Sequence, residues 1–218
     1  MKNGPLVKEL IKNGYLKSPL IRKAFEVIDR KDFVPENEKK EAYENHPLLI
    51  GFGQTISQPL TVAFMLELLE PKVGEKILEV GAGSGWQAAL LGFIAGGMAE
   101  RNEKEKSVVG KVVTMERIQE LSDFAVTNIE KYHFVSNGIV RVIHGNGVQG
   151  FPEGAPFDKI IAAAATETIP VAWKEQVRIG GRIVAPVNES IIVLDKVGPN
   201  SFSKRQYFGF NFVPLVME

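Results

Sequence analysis

"LEVGAGSGWQ" (residues 78–87) is the stretch on which the fold turns. It completes the apolar run "KILEV" (76–80), which reads as a short buried strand. Gly81, Gly83 and Gly85 then permit positive φ and close approach of backbone to a ligand, and from Trp86 the composition becomes helical. A strand, a glycine turn and a helix in that order place a ligand beyond the C-terminal end of the strand. The spacing is G-x-G-x-G and departs from the dinucleotide fingerprint G-x-G-x-x-G, because residue 86 is Trp. Glu79 stands two positions before the first glycine, where a carboxylate disfavours a pyrophosphate and favours a cationic ligand.

The alternation continues downstream. "KVVTMER" (111–117) is a second strand, followed by the helix "IQELSDFAVTNIEKYH"; "IVRVIHGNG" is a third strand and turn; "FDKIIAAAA" (157–165) is a fourth; "RIVAPV" is a fifth. Between the last two, "IPVAWKEQVRIGG" reads as a helix closed by glycine. "SIIVLDKV" and "QYFGFNFVPLV" close the chain as alternating strands with no helix between them. Strands separated by helices predict a parallel, doubly wound α/β sheet of Rossmann-like type, with an antiparallel hairpin at its C-terminal edge. The charged, Gly-flanked segment 96–111 reads as a solvated surface loop.

Upstream, residues 4–30 read as two amphipathic helices, the second with Ser18 as cap and Pro19 at its first position. "DFVPENEKKEAYENHP" is polar and irregular. "GFGQTISQP" (51–59) is a flexible, hydroxyl-rich turn in front of an apolar helix over 59–70. Ser57 there reads either as an N-cap with Pro59 in the first turn or as a site residue. The expected organisation is one domain, 1–218, with an N-terminal helical and substrate segment (1–58) and a ligand-binding core (59–218).

Composition narrows the chemistry. The 218 residues carry 26 Lys+Arg and 26 Asp+Glu, so no net field attracts nucleic acid or an anionic membrane. With no cysteine, disulfides, thiol catalysis and thiolate metal sites are excluded. The three histidines, His46, His133 and His144, are scattered, and no metal is expected. The N-terminus lacks the apolar run of a signal peptide, no run approaches the ~20 residues of a membrane span, and a cytoplasmic monomer is expected.

Two further strand ends carry polar signals. Glu116, closing the second strand, is placed to accept hydrogen bonds from ribose hydroxyls; the 96–111 segment accounts for its distance from the glycine loop. "HGNG" (144–147) puts Asn146 between glycines, as an ordinary turn or as a partner for an adenine edge. A ligand carrying an amino group and a sulfonium suits this set.

Together these residues resemble the class I S-adenosylmethionine-dependent methyltransferases. "IRKAFEVIDRKDFVPE", "AYENHPLLIGFGQTISQP", "LEVGAGSGWQAALL", "APFDKII", "GGRIVAPV" and "FVPLV" occur in the order seen in the protein-L-isoaspartate (D-aspartate) O-methyltransferases, over residues 18–216. The resemblance implies a seven-stranded sheet and methyl transfer to the α-carboxylate of L-isoaspartyl residues in damaged proteins and peptides. It makes Ser57 the catalytic residue and places Gln54, Thr55, Ile56 and Ser57 against cofactor and substrate. Gly81, Ala82, Gly83, Ser84 and Gly85 would surround the methionine part of S-adenosylmethionine, with Glu79 supporting the loop or the amino group. Glu116 would hold the ribose, and Asn146 and Gly147 the adenine. Ala164, Ala165 and Val216 would join Ser57 in binding the peptide. The chain departs from the family in having Asn146 where Asp is usual, in "AAAATETIP" with Thr166, Glu167 and Thr168, and in the longer 96–111 segment. A methyltransferase that tailors a dedicated precursor peptide and a non-catalytic binding module are the alternatives.

Overall fold

The computed structural model describes residues 3–98 and 110–216; of the 96–111 segment, residues 99–109 lie outside the described part. Helices α1 (Gly4–Lys12) and α2 (Pro19–Val27) lead into a β-hairpin, β1 (Leu48–Gly51) and β2 (Gln54–Ile56). Then follow α3 (Pro59–Leu69), β3 (Lys76–Val80), α4 (Trp86–Ala95), β4 (Lys111–Glu116), α5 (Gln119–Glu130) and β5 (Val140–His144). The chain continues through β6 (Phe157–Ala162), α6 (Val171–Gln176), β7 (Val177–Val187), β8 (Ser190–Gly198) and β9 (Ser201–Phe208). Seven strands form one sheet in the order β5-β4-β3-β6-β7-β8-β9. The pairs from β5 to β7 are parallel; β7–β8 and β8–β9 are antiparallel. This is the expected doubly wound sheet with its edge hairpin.

Alternation along the strands sorts the core into two layers. Ile77, Val112, Val140, Ile161 and Val184 pack with the helices α1–α5. Leu78, Val113, Ile160, Ile183 and Ile192 pack on the other face with Phe157, Trp173 and Val177. The period of two along each strand does this sorting. Helix α4 is buried on every side, because the sheet lies on one flank and α2 on the other; its uniformly apolar sequence is the signature of such a position. Chain order reverses at β3, whose neighbours are β4 and β6, and a crevice opens beyond the strand ends at this point.

Local departures from the sequence expectations have physical causes. Helix α6 stops at Gln176, and "VRIGG" already belongs to β7. The register of β6 against β7 shifts between Phe157 and Lys159, and a Cβ on Gly181 would lie 2.7 Å from the Asp158 carbonyl oxygen. The glycines serve a bulge, not a helix end. The last strand stops at Phe208, and residues 213–216 leave the sheet to lie beside Ala165. The flexible turn is a hairpin whose tip, Gly51-Phe52-Gly53, has positive φ throughout.

Ser18 occupies the N-cap position of α2 with Pro19 next, but neither its side chain nor that of Ser57 caps a helix. Ser18 makes no capping bond; its hydroxyl donates to Glu67 Oε2 at 2.6 Å, while Glu67 Oε1 accepts from Ser18 N at 2.8 Å and Lys17 N at 2.7 Å. At α3 the cap position is Gln58, and the free Leu60 N–H donates to Asn45 Oδ1 at 3.0 Å. A side chain from fifteen residues away does the work expected of Ser57. Asn45→Ala is therefore expected to lose about 1 kcal/mol of stability in urea unfolding, and Ser57→Ala clearly less. The reverse ranking would restore the cap to Ser57.

Candidate active site

The strand ends are tied to one another before any side chain takes part. Gly81 N and Ala82 N donate to Met115 O, Gly145 N to Glu116 O, and Ala163 N to Val80 O. The turns leaving β3, β4, β5 and β6 thus face a common space, a cavity of about 230 Å³. Its floor is the glycine loop (Gly81, Ala82, Gly83, Ser84). Glu116 and the Asn146–Gly147 turn line it, as do Gln54, Thr55, Ile56 and Ser57 from the hairpin side. Ala164 and Val216 line it as well. Residues far apart in sequence are brought to one crevice.

Glu116 is the hub of the loop. Its Oε2 accepts from Gly83 N at 2.9 Å and its Oε1 from Ile118 N at 3.0 Å. A carboxylate has about four lone-pair positions, so two acceptor positions remain for a pair of ligand hydroxyls. That pair of acceptors fits the two hydroxyls of a ribose diol, a part of S-adenosylmethionine. Ser57 is half-buried and lines the cavity; its hydroxyl makes no hydrogen bond among the described residues, while its carbonyl accepts from Arg30.

Three residues assigned to ligands by their motifs do not line the cavity. Gly85 has φ +89°, and a Cβ there would lie 2.9 Å from Ile129 Cδ1 and 3.2 Å from Ala125 Cα; it lets α4 start hard against α5. Ala165 pairs with the C-terminal segment, its N–H on Val213 O and its carbonyl taking Leu215 N. Glu79 is fully buried beneath the loop, with Oε2 accepting from Thr114 Oγ1 and Oε1 unpartnered. Burial pushes its carboxyl up to about 8, against which the Thr114 bond acts. Burial thus favours its neutral form, and among the described residues that line the cavity Glu116 is the one carboxylate.

Asn146 lines the cavity, yet both ends of its amide are engaged. Oδ1 accepts from Val148 N at 3.0 Å, and Nδ2 donates to Val216 O at 3.3 Å. It tethers the C-terminal segment, and each end keeps one further hydrogen-bonding position, since an amide oxygen has two lone pairs and its NH2 two donors. Gly147 is required by packing, because a Cβ would lie 2.5 Å from Val80 Cγ1. The unusual segment at 166–168 lies off the cavity: Thr166 is buried and bonded to Pro186 O and Asn188 N. Sequence reasoning missed Phe52, Val62, Trp86, Gln87, Ile118 and residues 213–215 as lining groups. Phe52, Trp86, Gln87 and residues 213–215 lie in stretches shared with the family, whereas Val62 and Ile118 carried no such signal.

Two of these placements are directly testable. Gly85→Ala is expected to cost at least ~2 kcal/mol through overpacking and strained φ, read by urea unfolding. For Glu79 the raised folded-state value means the native state holds a proton that the unfolded chain has released. Its contribution is fully present below the unfolded value of 4.5 and is lost as pH rises to about 8, with a slope of ~1.4 kcal/mol per pH unit. Glu79→Gln is expected to remove that slope from stability measured across this window; an unchanged slope would show that Glu79 is ionised in the fold.

Comparison with known proteins agrees with this arrangement. The family model described as Protein-L-isoaspartate(D-aspartate) O-methyltransferase matches residues 1–218. The chain is 39% identical over 217 residues to a protein-L-isoaspartate O-methyltransferase of Methanopyrus kandleri, covering 98% of this chain and 90% of that one. It is 42% identical over 213 residues to the protein of the same name from Pyrobaculum islandicum, covering 96% and 97%. A Plasmodium falciparum crystal structure assigned to the same enzymes, in complex with S-adenosyl-L-homocysteine, superposes with a TM-score of 0.85 at 22% identity and covers both chains completely. That likeness is one of fold, and the sequence matches carry the assignment further: the chain belongs to the protein-L-isoaspartate (D-aspartate) O-methyltransferase family.

Proposed function

We propose that this chain transfers a methyl group from S-adenosylmethionine to the α-carboxylate of L-isoaspartyl residues in damaged proteins and peptides, and that Ser57 orients that carboxylate. Family membership supports the reaction. The observation that carries the site is the meeting of the Gln54–Ser57 segment with the glycine loop and Glu116 in one cavity.

S-adenosylmethionine supplies, when bound, a methyl group on a sulfonium, open to direct displacement by a carboxylate oxygen. The chain's own task is then positional. Gly81, Ala82 and Gly83 offer backbone without side-chain bulk, and Glu116 holds hydroxyls with its remaining lone pairs. A substrate carboxylate is already ionised at neutral pH, so no residue has to remove a proton. The Ser57 hydroxyl, without a hydrogen bond among the described residues, donates to one carboxylate oxygen and fixes the other for in-line attack. Apolar walls from Ile56, Val62 and Met115 exclude water from the reacting charges. Ala164 and the 213–216 segment, pinned by Ala165 and Asn146, form the rim along which a peptide backbone lies.

Labelled-methyl transfer to an isoaspartyl peptide, beside its normal aspartyl twin, tests the reading. The first is expected to be methylated and the second not. Ser57→Ala is expected to lower turnover at least ~10-fold, equivalent to about 1.36 kcal/mol in the barrier, with little change in S-adenosylmethionine affinity by calorimetry. Wild-type turnover in that variant would remove Ser57 from the mechanism.

A further inference from the structure

Arg30 is fully buried, and its guanidinium has no acidic partner among the described residues. Nη1 donates to Ala42 O at 3.0 Å and Glu44 O at 3.2 Å; Nη2 donates to His46 O at 3.0 Å and Ser57 O at 3.1 Å. Its Cζ lies 5.3 Å from the centroid of the Trp86 ring. The ionisable side chains on neighbouring segments are engaged elsewhere. Asp29 accepts from Tyr43, Asp32 accepts from Tyr132, and the His46 ring faces Glu41. Burial draws the Arg30 pKa down, to about 10, with no carboxylate offsetting it, and the group is still charged at neutral pH. Carbonyl dipoles engage both Nη groups without cancelling the charge, and the buried Nε–H has no partner among the described residues. Both Ser57 and Trp86 line the cavity, so a lone cation stands directly behind its wall.

Resting on the function proposed above, we propose that Arg30 is a positioning residue that sets the electrostatic bias of the site. Its guanidinium holds the Ser57 turn in place, favours the anionic carboxylate of the substrate, and disfavours the sulfonium of S-adenosylmethionine relative to the neutral sulfur of S-adenosylhomocysteine. Low-dielectric surroundings let a buried charge act across a layer of side chains with little screening. A purely structural role for Arg30 would affect the two cofactor forms alike.

The test is calorimetry with S-adenosylmethionine and S-adenosylhomocysteine on wild type, Arg30→Gln and Arg30→Lys, with kcat and KM for an isoaspartyl peptide. In Arg30→Gln the ratio of the Kd for S-adenosylmethionine to that for S-adenosylhomocysteine is expected to fall ~5-fold or more. The peptide KM is expected to rise by a similar factor. Arg30→Lys, which keeps the charge, is expected to hold both within about twofold at neutral pH. Equal loss of affinity for the two cofactor forms in Arg30→Gln, or an unchanged ratio, would overturn the proposal. Should Arg30→Gln fail to fold, Arg30→Lys carries the test, because burial draws an ammonium toward neutral titration. Its ratio is then expected to fall between about pH 7 and about pH 9.5 by more than that of wild type, and identical pH dependence in the two proteins would overturn the proposal. A wild type that shows these ratios yet methylates no isoaspartyl peptide would defeat the functional reading and leave the electrostatic one standing.

Discussion

The Met115 carbonyl accepts from both Gly81 N, at 2.9 Å, and Ala82 N, at 3.0 Å. This shared bond, with its counterparts from Gly145 to Glu116 and Ala163 to Val80, determines where the strands of the parallel half end. A chain leaving a buried strand carries polar backbone groups that water cannot reach, and each needs a partner. The neighbouring strand's last carbonyls supply them. The turns consequently splay from one line, and the space between them becomes the crevice in which Glu116, the glycine loop and the Asn146 turn meet. Any shift of β4 along β3 would displace floor and wall of the cavity together.

Burial gives the ionisable groups around that crevice different roles. Glu79, fully enclosed with one hydrogen bond, is favoured by burial in its neutral form and acts as a polar strut under the loop. Glu116, with each oxygen on a backbone N–H, combines loop support with a cavity-facing carboxylate. Arg30 keeps its charge because its Nη groups find carbonyls and Trp86 offers a ring face. Three ionisable side chains thereby become a neutral prop, an anion in the wall and a cation behind it.

The N-terminal segment belongs to the same machinery. Glu67 on α3 holds the start of α2 through Lys17 and Ser18. Asn3 donates to Phe25 O and Ile28 O, both at 2.9 Å, and joins α1 to the end of α2. At the same end of α3 as Glu67, Arg182 meets Glu70 at 2.9 Å and donates to Leu68 O at 2.7 Å, linking that helix to β7. Ser57 sits at the entrance of this braced helix. Its position is fixed by α3 behind it, Asn45 and Gln58 beside it, and Arg30 beneath it.

The sequence by itself determined the sheet, the strand limits at 76–80 and the glycine loop, because these rest on local patterns. Apolar alternation, glycine breaks and helical composition each act within a few residues. It also pointed to Ser57, Glu116 and the Asn146 turn, through motifs whose order matches a family. Only the tertiary structure decided what those residues touch. Gly85 proved to be a helix-packing residue because Ile129 approaches it, and "VRIGG" became strand because Phe157 pairs with Val177. The cap of α3 passed to Asn45, and the amide of Asn146 bonds Val148 and Val216. Arg30 and Trp86 lie in stretches shared with the family, but nothing local marks them as partners, since a buried cation over an indole requires segments 56 residues apart to be folded together. Periodicity encodes which face of an element is buried, but partners across the fold depend on packing that no local window contains.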